Sequence, residues 1–149
     1  MTVGWREWAM LPALNIPAIK VKIDTGARTS ALHAFTVEEF SENSITKVRF
    51  GMHPIRHHPD IERTCVAEVI DQRVISDSGG HKEMRYVIQT PIRIGEQEWN
   101  IELTLTNRES MNFRMLLGRT AMTNRLLVDP TSSYLMGTYS IEDAYKEEL

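Results

Sequence analysis

The sequence has a single cysteine, Cys65, among its 149 residues, so it cannot form an internal disulfide. Its folding therefore does not call for an oxidising compartment. Long apolar runs are also missing, and the first eight residues carry charges and two tryptophans where a signal peptide would be apolar. These absences predict a cytoplasmic protein that does not enter a membrane.

The sequence also lacks a large excess of either positive or negative charge. The formal net charge is -3, and acidic and basic residues are mixed along the chain. Nucleic-acid-binding surfaces usually appear as basic clusters, and disordered tails as blocks of like charge. We therefore expect no nucleic-acid partner. Because no linker-like segment interrupts the sequence, we expect a single domain over residues 1–149.

Apolar and polar residues alternate with a period of two wherever a period is visible. Ile19, Val21 and Ile23 alternate with lysines, and the same pattern runs from Trp99 to Leu105. This alternation is typical of half-buried strands. Further strands are predicted at residues 31–40, 45–52, 64–75 and 84–94. We predict an all-β, mainly antiparallel fold.

Turn and helix signals separate these strands. Asp77-Ser78-Gly79-Gly80 predicts a tight hairpin, because both glycines can adopt positive φ angles. A weaker turn is predicted at Gly95, and residues 51–60 are expected to form a loop. Short helices are predicted after Gly118 and over residues 140–148, the second with Ser140 as cap and Asp143 completing a capping box.

The most informative segment is a strand that runs directly into Asp24-Thr25-Gly26. A carboxylate at a strand end, followed by glycine, is held by rigid sheet and can face a cleft. The simpler alternative is that Asp24 and Thr25 only hydrogen-bond their own turn. A second segment, residues 113–122, reads as an apolar strand that ends at Gly118 and continues into a short helix.

At these residues the chain resembles the retropepsin-like aspartic proteases, in which an Asp-Thr-Gly-Ala turn precedes two apolar residues and Gly-Arg. Ile23 to Ala27 and Leu116 to Arg119 match that pattern. Over nearly its whole length the chain is also similar to the bacterial family named ATP-dependent zinc proteases. The resemblance implies an acid-protease half-barrel with one short helix after Gly-Arg. It also implies a functional link to ATP-grasp ligases that append glutamates to a ribosomal protein.

The resemblance further implies roles for individual residues. Asp24, Thr25 and Gly26 would be catalytic, and Arg119 would support their turn. The expected substrate contacts are Ala27 and Arg28 beside the turn, and Ser78, Gly79 and Gly80 in a flap over the cleft. Arg28 stands where the retroviral enzymes have an aspartate, so their substrate preference does not carry over. A guanidinium there could bind an acidic peptide or be purely structural.

The chain contains one Asp-Thr-Gly, and Asp129-Pro130-Thr131 is not a second copy. An aspartic peptidase needs two carboxylates that share one proton, because two adjacent carboxylates do not both ionise. We therefore expect a homodimer in which each subunit contributes Asp24, and we expect it to hydrolyse peptide or protein substrates without a cofactor.

Two alternatives stay open: a zinc-dependent peptidase, and a non-catalytic dimeric binding module with the same fold. The available zinc ligands are Cys65 and the histidines at positions 33, 53, 57, 58 and 81. They lack the helical His-Glu-x-x-His spacing of zinc peptidases, and we expect no metal site. His33 alternates with Ala31 and Phe35, so it faces either the core or the cleft. Because no phosphate-binding glycine loop is present, any ATP dependence would come from a partner.

Overall fold

The computed structural model of the protein describes residues 1–77 and 79–148 and is built almost entirely of strands. The strands are β1 (Thr2–Val3), β2 (Arg6–Leu11), β3 (Ile16–Ile23), β4 (Ser30–His33), β5 (Thr36–Glu42), β6 (Ile45–Met52), β7 (Arg63–Glu68), β8 (Asp71–Ser76), β9 (Lys82–Ile94), β10 (Gln97–Thr106), β11 (Met115–Leu117) and β12 (Leu127–Val128). The helices are α1 (Arg119–Met122), α2 (Ile141–Ala144) and a 3₁₀ turn at Pro12–Leu14. The predicted all-β fold is confirmed.

Seven strands form the main sheet, in the order β10-β4-β11-β3-β2-β9-β8. A further pairing joins β10 to β9, so the sheet closes on itself as a barrel. Most pairs are antiparallel, whereas β10 with β4 and β11 with β3 are parallel. The parallel pair β11–β3 matters most for the site, because it sets the ends of these two strands side by side.

The barrel interior holds the main apolar core. Ile19, Val21 and Ile23 of β3 point into it, as the alternation predicts, and Leu103 of β10 is fully buried. Strand β2 also lines this core, but the sequence pattern gave no sign of it. The reason is Glu7, which is fully buried and accepts hydrogen bonds from three backbone N–H groups, at Gly4, Leu135 and Met136.

A separate three-stranded sheet is formed by β5, β6 and β7. The strand predicted at residues 31–40 is therefore wrong as one element, because the chain leaves the barrel after His33 and enters this second sheet at Thr36. The strand predicted at 64–75 is likewise divided into β7 and β8. The strands at 45–52 and 84–94 are confirmed, the second as part of the longer β9.

The predicted turns and the helix after Gly118 are confirmed with one correction to the hairpin. The helix predicted over residues 140–148 spans only Ile141–Ala144, and in the described residues the Asp143 carboxylate does not complete the predicted capping box. The β8–β9 hairpin turns at residues 77–81, but of its two glycines only Gly80 has a positive φ, of 83°. Ser78 lies outside the described residues. Gly95 has a φ of 60° in the β9–β10 turn. Ser140 caps α2 by accepting a hydrogen bond from the Asp143 N–H at 3.3 Å.

The segment that carries α2 packs on the outer face of β3. Tyr145 is fully buried there with Trp8, Ala18, Ile55 and Ile61. Its hydroxyl accepts from the Ala18 N–H and donates to the Ala18 carbonyl. In the described parts of the chain, neither helix has the length and apolar run that a bilayer crossing needs.

Replacing Tyr145 by Phe should destabilise the fold by about 1–3 kcal/mol, because the Ala18 N–H and C=O would lose their buried partner. Urea unfolding measures this difference. Tyr139→Phe is the matched control, since the Tyr139 hydroxyl has no hydrogen bond within the described residues. Equal stability of the two variants would show that the Tyr145 hydroxyl does not anchor this segment.

Candidate active site

Asp24 follows directly after β3 and begins a tight turn. Its N–H donates to the Leu117 carbonyl at 2.9 Å, which ties it to the end of β11. Its carboxylate Oδ1 accepts from the Gly26 N–H at 3.0 Å, and its carbonyl accepts from the Ala27 N–H at 3.2 Å. The side chain is half-buried, whereas Thr25 and Gly26 are exposed. The carboxylate is thus fixed by backbone and presented at a surface.

The segment after β11 holds the Asp24 turn from its other side. The Arg119 N–H donates to the Ala27 carbonyl at 2.8 Å, and the Thr120 N–H donates to the Arg28 carbonyl at 3.0 Å. Arg119 Nη1 also donates to the Thr25 carbonyl at 3.0 Å. This is the contact that the predicted supporting role of Arg119 requires, and the role itself stays a prediction.

Gly118 permits this close approach. A Cβ at position 118 would lie 2.6 Å from the Thr29 carbonyl carbon and 2.8 Å from its oxygen. The Gly118 N–H also donates to the hydroxyl of the buried Ser30 at 3.0 Å. Any side chain at position 118 would push the two segments apart. Steric exclusion therefore explains why glycine precedes Arg119.

The Asp24 carboxylate lies in a cleft of about 890 Å³. One wall is the turn itself, with Gly26, Ala27 and Arg28, and Arg119 lies beside it. Residues 73–77, at the end of β8 and the start of the following turn, also line the cleft. The hairpin therefore borders the cleft, as a flap would, but Thr25, Gly79 and Gly80 do not line it.

Arginines dominate the charge of this cleft, which is lined by Arg28, Arg73, Arg85, Arg108 and Arg119, with Asp24 and Asp77 as the acids. Two of the arginines are already neutralised. Arg73 pairs with Asp71 and Glu102, whose carboxyl pKa values its hydrogen bonds lower, and Arg85 pairs with Glu83 at 2.9 Å. Arg28 and Arg108 have no ion pair within the described residues, so their guanidinium groups are free to bind an anion in the cleft.

Residues 107–114 supply a part of the site that the sequence did not predict. His33, which is buried, anchors this loop by accepting a hydrogen bond from the Arg108 N–H at 3.0 Å through Nδ1. Burial lowers the pKa of His33, opposed by Glu109, whose carboxylate lies 3.2 Å from Nε2. A neutral imidazole is what this bond needs, because a protonated Nδ1 cannot accept. His33 thus faces the interior and positions Arg108 at the cleft.

The residues weighed as zinc ligands do not meet in the fold. His81 lies at the hairpin turn, Cys65 is buried on β7, and His53 stacks on Phe35. Over residues 1–77 and 79–148, no three His, Cys, Asp or Glu side chains come together as metal ligands would. Burial raises the pKa of the Cys65 thiol to about 11, which keeps it protonated.

The family model described as retropepsin-like aspartic endopeptidase RimB matches residues 2–138. The chain belongs to the RimB-like family. The match supports the retropepsin-like resemblance that the Asp-Thr-Gly and Gly-Arg segments predict. It does not bear on the zinc-protease name.

Among the relatives of this RimB-like chain are three proteins named probable alpha-L-glutamate ligase. Those from Shewanella pealeana, Desulfotalea psychrophila and Parasynechococcus marenigrum are 47%, 44% and 44% identical over 91%, 98% and 91% of this chain. The chain spans only 30%, 32% and 29% of their respective lengths. Their name therefore describes much longer proteins.

A solved structure of similar shape is that of a protein of unknown function (DUF785) from Legionella pneumophila. It is 26% identical, with a TM-score of 0.75, and the match covers 91% of this chain and 97% of that one. Nearly the whole RimB-like chain therefore has a counterpart of known architecture.

Replacing Gly118 by Ala should destabilise the protein by about 1–3 kcal/mol, because the new Cβ would overlap the Thr29 backbone. Thermal or urea unfolding provides the measurement. Gly79→Ala is the control, since the atoms nearest its added Cβ are side-chain atoms of His81 and Asp77 at 3.3 and 3.4 Å. A Gly118→Ala variant as stable as the control would mean that the contact between Gly118 and Thr29 is not tight.

Proposed function

We propose that this RimB-like chain is an aspartic peptidase that works as a homodimer, with one Asp24 from each subunit. The observation that carries the proposal is the placement of Asp24. Its Oδ1 is held by the Gly26 N–H, while Oδ2 has no hydrogen-bond partner in the described residues and the carboxylate borders a cleft large enough for a peptide. A fixed carboxylate with one free oxygen is what a proton-transfer role requires.

The paired carboxylates would share one proton, because two adjacent negative charges are strongly disfavoured. The ionised Asp24 takes a proton from a water molecule whose oxygen attacks the scissile carbonyl carbon. The protonated Asp24 donates its proton to the carbonyl oxygen, which gives a neutral tetrahedral intermediate. When that intermediate collapses, the C–N bond breaks, the amine nitrogen gains a proton, and a carboxylic acid is released. The pKa values belong to the pair and not to either residue.

Acidic peptides are the proposed substrate class. Arg28 and Arg108 line the cleft without an ion pair in the described residues, and a guanidinium can bind a carboxylate through two parallel hydrogen bonds. The names of the longer relatives point in the same direction, since a glutamate ligase makes acidic products. We propose that the chain trims glutamate-rich peptides made by an ATP-grasp ligase.

The binding module is the second candidate function, and one contact favours it. The hydrogen bond between Asp24 Oδ1 and the Gly26 N–H is the bond expected of an aspartate that only stabilises its own turn. In such a protein, the cleft would hold acidic peptides without cutting them. Hydrolysis of a bound acidic peptide separates the two functions, because a binding module would bind the peptide and leave it intact.

Asp24→Asn should fold and dimerise normally but lose at least about 100-fold of its peptide hydrolysis. Mixing it with an equal amount of wild-type protein, under conditions where subunits exchange, gives a sharper test. Only about one quarter of the dimers then have two intact carboxylates, so the activity should fall to about one quarter of that of the same total amount of wild-type protein.

Hydrolysis of a fluorogenic glutamate-rich peptide provides the readout, and native mass spectrometry with one partner isotope-labelled confirms subunit exchange. If the exchanged mixture keeps about one half of the activity of the same total amount of wild-type protein, each subunit acts alone. Unchanged hydrolysis by the pure Asp24→Asn dimer would rule out the aspartic mechanism.

Arg28→Ala should reduce the preference for a glutamate-rich peptide over a neutral peptide of equal length by about tenfold, because one bidentate carboxylate contact is lost. The ratio of kcat/KM for the two peptides is the measurement. Arg49→Ala, on β6 outside the cleft, controls for the change in net charge. If both variants keep the wild-type ratio, Arg28 does not select acidic substrates.

A further inference from the structure

The outer face of β3, the strand that leads into the Asp24 turn, carries a row of lysines. Lys20 and Lys22 are alternate residues, so their side chains lie on the same side of the strand. Both lysines are exposed. Across the sheet, Lys22 pairs with Arg6 of β2 and Lys20 pairs with Trp8. Cationic side chains therefore continue from the region of the Asp24 turn along the strand.

Three depressions on this face share their walls. The Asp24 cleft shares Arg108 and Leu116 with a middle depression that Lys22 lines. The middle depression shares Asn112 and Phe113 with a third depression of about 360 Å³. We name this third depression the distal pocket. Its main lining residues are Arg6, Trp8, Lys20, Arg56, Arg114 and Tyr134.

The distal pocket has cations and no acid among its lining residues. Aromatic rings hold two of the cations. The Arg6 guanidinium lies 4.6 Å from the centroid of Trp5 and 4.9 Å from that of Tyr134, and Lys20 Nζ lies 5.3 Å from the centroid of Trp8. A ring fixes a cation without neutralising it. Neither Arg6 nor Lys20 has an ion pair in the part of the chain that the structure describes.

Two more arginines complete the positive charge. Arg56 is exposed, and its Nη1 donates to the Asn112 side-chain oxygen at 2.6 Å. Arg114 is more deeply placed, and its Nε and Nη1 are buried without a hydrogen-bond acceptor among the described residues. The nearest carboxylate, that of Glu109, lies 3.7 Å from Nη1. This carboxylate partly balances the Arg114 charge, so the cations of the distal pocket without an ion pair in the described residues are Arg6, Lys20 and Arg56.

We propose that the distal pocket is a second subsite, which binds the carboxylates of an acidic peptide whose scissile bond lies at Asp24. The subsite rests on the proposed peptidase function. Lys20 lies four residues before Asp24, which directly follows the end of β3, and four residues of extended chain span about 13 Å, or about four residues of an extended peptide. The shared walls favour a chain-like occupant, because a peptide can pass from one depression to the next.

The test measures binding and not hydrolysis. Asp24→Asn protein is titrated by calorimetry with peptides of two, four, six and eight glutamates. Each added glutamate is expected to raise the affinity by a small, steady factor. At the length that reaches the distal pocket, the affinity should rise by a further factor of about ten or more, and we call this rise the step. Adding Lys20→Gln and Arg56→Gln, both at exposed side chains, should remove this step.

Lys47→Gln with Arg49→Gln, on β6 away from the three depressions, removes the same charge and should keep the step. Three results would overturn the subsite. The step in affinity could persist in the Lys20/Arg56 variant, the wild-type series could show no step, or glutamate peptides of every length could fail to bind. Inorganic phosphate that binds the pocket without being displaced by the longest peptide would also overturn it. Failure of the proposed peptidase function would give a different result. In that case the wild-type protein would bind the peptides with the step in affinity but would not cut them.

Discussion

The close contact between Gly118 and the backbone at Thr29 is the constraint on which the site depends. It lets the chain after β11 come near enough for the N–H groups of Arg119 and Thr120 to reach the carbonyls of Ala27 and Arg28. The parallel pairing of β11 with β3 brings the two segments to the same end of the barrel. The Asp24 turn is then held by two distant parts of the sequence, and the proposed proton transfer needs a carboxylate on a rigid support of this kind.

A single chain provides only half of the chemistry that we propose. One carboxylate on a fixed turn can accept a proton, but hydrolysis by this route also needs an acid that donates one in the same step. A two-fold axis beside the turn would supply that acid without any further residue in the sequence. The guanidinium groups of Arg28 and Arg108 have a separate effect in this arrangement, because they attract acidic substrates to the cleft.

Local patterns in the sequence predicted the parts of the fold that depend on neighbouring residues. Strand β3 and the Asp24 turn follow from alternation and one glycine, and Ser140 was recognised as a cap from its spacing to Asp143. Strand β2 was missed, because the buried Glu7 interrupts its apolar pattern and is stabilised by N–H groups from residues 4, 135 and 136. The division of residues 31–40 between two sheets was also missed, since no turn residue marks it. Arg108 reaches the cleft through a loop that His33 anchors from 75 residues away, and no local pattern reports such a contact.

The central claim is that two Asp24 carboxylates share a proton. The most direct measurement is a crystal structure of the dimer, with the oligomeric state in solution determined on the same preparation. The account predicts a two-fold axis beside the Asp24 turn, with carboxylate oxygens of the two subunits about 3 Å apart. A dimer that keeps these carboxylates far apart, or a monomer that hydrolyses peptides, would contradict it.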